Sequence, residues 1–152
     1  MSLAARCPAC GTVFRVVQDQ LRISEGWVRC GRCSEVFNAV EHLVDVDAVD
    51  IDPAAVTSTQ ANAQANGVQL RPGLPDQAQG AYPLVLANIL ATPLKLLAPL
   101  LCGHVAPGGS LVLAGILERQ AEELQAAYAP WLALQVSDRE DGWILMTATR
   151  VA

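Results

Sequence analysis

Two C-x-x-C pairs, Cys7/Cys10 and Cys30/Cys33, constrain this chain more than any other feature. Nineteen residues separate the pairs, a spacing typical of zinc sites. Two residues between cysteines let one tight turn aim both thiolates at a single tetrahedral ion. Gly11 and Gly31 lie at these turns, where close backbone approach or a positive φ is useful. The enclosed loop is too short to build a core, so the ion has to supply the folding energy. Two disulfides or a redox dithiol are the alternatives. A reducing compartment favours metal, and the start of the chain, with Arg6, Cys7 and Pro8 where a secretory leader has an apolar run, points to a cytoplasmic location. Four thiolates close the coordination sphere, which makes the expected Zn2+ structural and not catalytic. "TVFRVV" and "GWVRC" read as strands, with Phe14, Trp27 and Phe37 as a small apolar cluster beside the metal.

The rest of the chain is built differently. Residues 1–40 carry five Arg against three acidic residues; residues 41–152 carry five basic against twelve acidic. With 152 residues and 52% hydrophobic content, one small module and one modest core are expected. The net charge of −5 argues against a general nucleic-acid binder, although the five Arg could meet a protein or nucleic-acid partner. No membrane span is expected. The most apolar window, "YPLVLANILATPLKLLAPLLCGHV", holds Asn88 and Lys95 and is broken by Pro83, Pro93 and Pro99.

From Ala48 onward strands and helices alternate. "AVDIDPAAV" reads as a strand end with acids at its tip: Asp52 is a good N-cap and Pro53 a good first helical residue. The helix should stop at Asn66-Gly67. "VQLRPG" is a short strand, and "YPLVLANIL" has the composition of a strand buried on both faces. A helix should open at Pro93, with Leu94, Leu97, Ala98, Leu101 and Val105 on one face and a kink or limit at Pro99. "APGG" is a turn before the strand "SLVLAGIL". In "ERQAEELQAAYAPWL", Leu117, Ala121, Leu124, Tyr128 and Trp131 mark one helix face. The chain then ends in two strands joined by "SDREDG". The class is α/β, a mainly parallel sheet with an antiparallel edge.

Two resemblances follow. "RCPACGTVFRVVQDQLRISEGWVRCGRCSEVFNA" resembles the zinc ribbon that opens a family of bacterial, often membrane-anchored, proteins. "VDIDPAAV", "ANAQANGV", "LVLANILATPLKLLAPLL", "VAPGGSLVLAGILERQAEELQAAY" and "GWILMTATR" are similar to the C-terminal part of the methyltransferase that modifies large-ribosomal-subunit protein eleven (the PrmA family), over about residues 48 to 150. The expected organisation is a zinc ribbon at 1–40, a junction at 41–48, and the C-terminal part of a methyltransferase domain at 49–152. The junction falls at "VDVDAVDID", a short repeat of the kind where recombination joins two genes.

The second resemblance implies an S-adenosylmethionine-dependent, Rossmann-like seven-stranded sheet and a ribosomal-protein substrate. It places Asp50 at the tip of the second strand, accepting both ribose hydroxyls, and Asn88 at the tip of the fourth, facing cofactor and amine. It assigns no catalytic residue. Plainer readings stand beside it: Asp50 and Asp52 as helix-capping acids, Asn88 as a core amide, Cys102 as a buried thiol, His42 and His104 as surface residues, and Trp131 and Trp143 as packing. The family's first strand and glycine-rich cofactor loop have no counterpart here. Between residues 1 and 66 the glycines are Gly11, Gly26 and Gly31, and no G-x-G occurs. The sheet is therefore expected to be incomplete, its second and fourth strands either pairing directly or leaving a gap for a second chain in a homo-oligomer. A truncated methyltransferase, inactive alone, is one functional expectation. The alternative is a zinc-ribbon protein- or nucleic-acid-binding module on a degenerate methyltransferase scaffold.

Overall fold

The computed structural model describes residues 2–152. They form two compact units, residues 2–78 and residues 79–152.

The first unit runs β1 (Ser2–Arg6), β2 (Val13–Val17), α1 (Gln18–Ile23), β3 (Trp27–Arg29), β4 (Val36–Asn38), β5 (Leu43–Val44), β6 (Asp47–Val49), α2 (Pro53–Ala65) and β7 (Arg71–Gly73). β1 lies between β2 and β5, antiparallel to both, and β3 and β4 form a separate antiparallel pair. Residues 41–48, expected as a junction, hold β5 and the first residues of β6. β6 and β7 pair in parallel with α2 as the crossover. Asp52 caps α2 by accepting from the Ala54 N–H at 2.8 Å; Pro53 opens the helix and Asn66 closes it.

Cys7 and Cys30 sit in a very small core with Ala5, Val16, Leu21, Phe37 and Ala39; Cys10 packs against it and Cys33 is exposed. Phe14 and Phe37 meet edge to face at 5.9 Å. The expected third aromatic, Trp27, is 54% exposed. It lies on a three-residue edge strand, and its neighbour Val28 takes the inward position. His42, expected at the surface, is half-buried and packs against Phe37 at 5.5 Å.

The second unit contains β8 (Tyr82–Asn88), α3 (Ala91–Leu96), α4 (Ala98–Gly103), β9 (Val105–Leu117), α5 (Ala121–Tyr128), β10 (Gln135–Glu140) and β11 (Trp143–Thr149). The strand order is β10-β11-β9-β8, with β8 parallel to β9 and the other pairs antiparallel. One face of this sheet carries the core. Leu111, Leu113, Ile116, Ile144 and Met146 meet Leu94, Ala98 and Cys102 from the α3–α4 pair and Leu124 and Tyr128 from α5. Tyr128 is fully buried, and its hydroxyl donates to the Leu94 carbonyl at 2.8 Å. Burial in this apolar layer pushes the Tyr128 hydroxyl up from its ordinary pKa, and burial likewise raises the Cys102 thiol.

Several sequence expectations need correction. The α3–α4 segment starts at Ala91, ahead of Pro93, and breaks at Leu97 because Pro99 supplies no N–H to continue the first helix. α5 ends at Tyr128, and Trp131 lies exposed beyond it. The last turn is tighter than "SDREDG": only Asp141 and Gly142, both at positive φ, separate Glu140 from Trp143. β8 is not buried on both faces. It is an edge strand, with Val85 and Ala87 against the core and Leu84 and Leu86 exposed. Within its own unit β6 pairs with β7, and within its own unit β8 pairs with β9.

Candidate functional site

The four cysteines of the first unit converge. The Sγ atoms of Cys7, Cys10, Cys30 and Cys33 lie within 4.8 Å of one another. Cys7 is 3.6 Å from Cys33, and Cys10 is 3.6 Å from Cys30. A disulfide needs about 2.05 Å. Four sulfurs at a Zn–S distance of about 2.3 Å stand about 3.8 Å apart at the corners of a tetrahedron. The donor set and its spacing fit zinc, and the close pairs each join one cysteine from either C-x-x-C turn.

Two matching turns make this geometry. The Gly11 N–H donates to the Cys7 carbonyl at 2.9 Å and the Cys7 N–H to the Thr12 carbonyl at 2.9 Å. In the second turn the Ser34 N–H donates to the Cys30 carbonyl at 2.9 Å and the Cys30 N–H to the Glu35 carbonyl at 2.8 Å. The left-handed residue is Gly11 in the first turn and Ser34 in the second, at φ +71° and +63°. The expected Gly31 is not at positive φ; the required position is four residues after the leading cysteine, and serine occupies it. The Thr12 hydroxyl, 3.2 Å from Cys10 Sγ, and its backbone hydrogen bond favour the thiolate and hold Cys10 down at about 6.

The other expected site residues each lie at the end of a strand, one in either unit. Asp50 follows β6 in the first unit. Its N–H donates to the Gly73 carbonyl at 3.1 Å, and its Oδ1 accepts from the Asp52 N–H at 2.9 Å. The carboxylate is exposed, so it both shapes the turn and faces solvent. Asp52, by contrast, is occupied in capping α2.

Asn88 ends β8 in the second unit and is exposed, not a core amide. It opens onto a cleft of about 680 Å³ whose wall includes Gly115 of β9 and Asp138, Arg139, Glu140 and Trp143 of the terminal hairpin. Gly115 sits at φ +76°, where β9 bulges against β11. A Cβ there would stand 2.8 Å from Asn88 Oδ1 and 2.9 Å from the Ile89 carbonyl oxygen. Only glycine leaves the Asn88 amide its place. Arg139 is held by Glu118 at 2.9 Å. The hairpin wall and Gly115 were missed by sequence reasoning. A glycine inside an apolar strand run, as in "LVLAGIL", is the signal that marks such a bulge. Trp143, expected as packing, is half-exposed at the cleft.

Comparison with known proteins bears on both units. A zinc-ribbon domain model matches residues 3–39, and the model described as ribosomal protein L11 methyltransferase (PrmA) matches residues 40–151. A ribosomal protein L11 methyltransferase of Polaromonas sp. is 74% identical over 95 residues, which are 62% of this chain and 32% of that protein. One from Bordetella parapertussis is 58% identical over 100 residues, 65% of this chain and 33% of that protein. The chain thus spans about a third of the length of these curated relatives. Among solved structures, a ribosomal protein L11 methylase from Lactobacillus delbrueckii subsp. bulgaricus superposes with a TM-score of 0.64 at 28% identity, covering 71% of this chain and 59% of that one. The fold is that of a methyltransferase α/β sheet, present in part, behind a small β region bearing the cysteine cluster.

Proposed function

The chain belongs, over residues 40–151, to the ribosomal protein L11 methyltransferase family, and from that membership we propose that its α/β portion is the C-terminal part of an S-adenosylmethionine-dependent N-methyltransferase domain whose acceptor is an amino group of a ribosomal protein. The boundary is proposed near residues 41–48. Its support is that the zinc-ribbon match ends at residue 39 and the methyltransferase match begins at residue 40. The ribbon holds a structural Zn2+ through Cys7, Cys10, Cys30 and Cys33. A cytoplasmic location fits this reading, and no helix among the described residues is long and apolar enough to cross a membrane.

Asp50 is the residue proposed to hold the cofactor ribose. Two hydroxyls need two acceptor positions, and an exposed carboxylate keeps lone pairs free after accepting the Asp52 N–H. Asn88 is proposed to face the cofactor and the incoming amine. Its amide oxygen accepts a hydrogen bond from an amine N–H and leaves the nitrogen lone pair free, without adding charge to the site. The cofactor supplies the chemistry, an electrophilic methyl group on sulfur. The chain's part is to orient the amine lone pair toward it; the room that side-chain-free Gly115 leaves for the Asn88 amide supports that role. That placement at a strand tip beside a cleft is the observation carrying this reading.

The decisive experiment is calorimetric titration of zinc-loaded protein with S-adenosylmethionine, with Asp50→Ala and Asn88→Ala beside it. Micromolar binding, weakened at least tenfold in Asp50→Ala, is the result that supports the assignment. Unchanged affinity in Asp50→Ala would remove Asp50 from the site. A second reading rests on a specific observation: no G-x-G precedes β6, so the chain has no glycine cradle for the methionine end of the cofactor. On that reading the chain does not bind cofactor alone, and the zinc ribbon docks a protein or nucleic-acid partner on a scaffold that no longer turns over. A cooperative melt with no heat on titration would favour it.

A further inference from the structure

The free edge of β8 differs from every other sheet edge among the described residues. Natural edges are blunted by charge, proline or shortness, because an open row of N–H and C=O groups recruits other strands. β2 carries Arg15, β5 has two residues, β6 carries Asp47, and β7 is Arg-Pro-Gly. β3 and β4 span three residues each. At the opposite edge of the same sheet, β10 carries Asp138, Arg139 and Glu140. β8 is seven residues long and uncharged, and the chain carries no charged residue between Asp76 and Lys95. Pro83 removes one donor near its start; Leu84 to Asn88 pair regularly with β9 on the inner side and with no strand on the other. Leu84 and Leu86 point away from the core, with Leu86 68% exposed.

We propose that β8 is a homodimerisation edge: two copies of the chain pair antiparallel through Leu84–Asn88 about a twofold axis near Leu86, joining their four-stranded sheets into one. The argument for a second copy is complementarity. An antiparallel strand paired with itself about a twofold presents the same donors and acceptors to both sides, so the contact closes as a dimer. A strand without charge meets its copy with no like-charge repulsion, which no other edge of comparable length here can do. Cross-strand leucine neighbours add apolar contact that the isolated edge leaves in water. The pairing also removes the exposed edge and stops at two copies, since the β10 edges left at the ends of the joined sheet are charged.

The test is sedimentation velocity of the zinc-loaded full chain across a micromolar concentration series, with Leu86→Lys and a Gln135→Lys control on β10. Wild type and Gln135→Lys should dimerise alike, and Leu86→Lys should raise the dissociation constant by roughly tenfold or more, because two lysines then oppose each other near the axis. Far-UV circular dichroism checks that Leu86→Lys stays folded. Hydrogen exchange on the wild type gives an independent reading: amides within Leu84–Asn88 should gain protection as concentration rises. A chain monomeric throughout would overturn the proposal. So would a dimer that survives Leu86→Lys with no protection at β8, which would put the contact elsewhere.

Discussion

The zinc-ribbon portion and the four-stranded sheet reach stability by opposite means. The ribbon's buried set is Ala5, Val16, Leu21, Phe37 and Ala39 with Cys7 and Cys30, so two of its most buried residues belong to the proposed zinc site. The sheet buries Leu94, Leu111, Leu113, Ile116, Leu124, Tyr128, Ile144 and Met146 in one continuous layer. Apolar burial contributes roughly 25 cal/mol per Å² removed from water. The first set is too small for that term to offset chain entropy; the second is not. A zinc ion in the cysteine cluster would supply to the short ribbon what the sheet obtains from its own side chains.

Removing zinc should have the largest effect. Binding of structural zinc is worth about 10–16 kcal/mol in small finger peptides. Chelation, or Cys30→Ser, should erase amide protection in β1 to β4 while residues 79–152 keep theirs, as read by hydrogen-exchange mass spectrometry. Loss of protection across both units at once would show that the sheet also depends on the ion.

Leu113→Ala probes the other side. Leu113 is fully buried in the sheet core, so the substitution should cost about 2–5 kcal/mol in denaturant unfolding of the second unit. Zinc content, measured by a colorimetric chelator, should stay at one ion per chain.

A smaller effect is expected with pH. Burial in the apolar layer disfavours the Tyr128 phenolate, so the fold holds the proton on that hydroxyl. Its folded pKa is raised above the unfolded value of 10.0. The folded state therefore binds the proton more tightly, and this contribution is fully present below pH 10 and lost as pH rises toward the raised value. Denaturant midpoints for the second unit should fall above pH 10, and Tyr128→Phe should flatten that fall.

The smallest expected change is Asp52→Ala, about 1 kcal/mol through loss of the α2 cap, seen as a modest fall in the melting temperature of the first unit. It sharpens the Asp50 assignment too. If Asp52→Ala left cofactor affinity intact while Asp50→Ala did not, the two neighbouring acids would be separated into cap and ligand.

Much of this molecule was legible from local chemistry. The cysteine spacing led to four converging sulfurs because a C-x-x-C turn fixes its own geometry over five residues. Asp52-Pro53 and Asn66-Gly67 marked the ends of α2, since capping depends on groups one to three residues away. The parallel β8–β9 pair and the terminal hairpin followed from the alternation of apolar runs and turns.

What the sequence could not decide was set by partners distant in the chain. An apolar run such as "YPLVLANIL" is compatible with a strand buried on both faces or with an exposed edge. Only the absence of a second neighbour made β8 an edge and left Leu84 and Leu86 in water. Trp27 and Trp143 carry the same large apolar surface as any core residue, yet both stand half-exposed, because the pleat of their strands turned their neighbours Val28 and Ile144 inward. Gly115 looked like an interruption of a strand until Asn88 Oδ1 and the Ile89 carbonyl were found where its side chain would be. Local chemistry marked the cysteine cluster and both ends of α2, since turns and caps depend on residues a few positions away. Tertiary structure alone decided which strand lacks a neighbour and which side chains share the cleft, because pairing and close approach arise between segments that no local pattern connects.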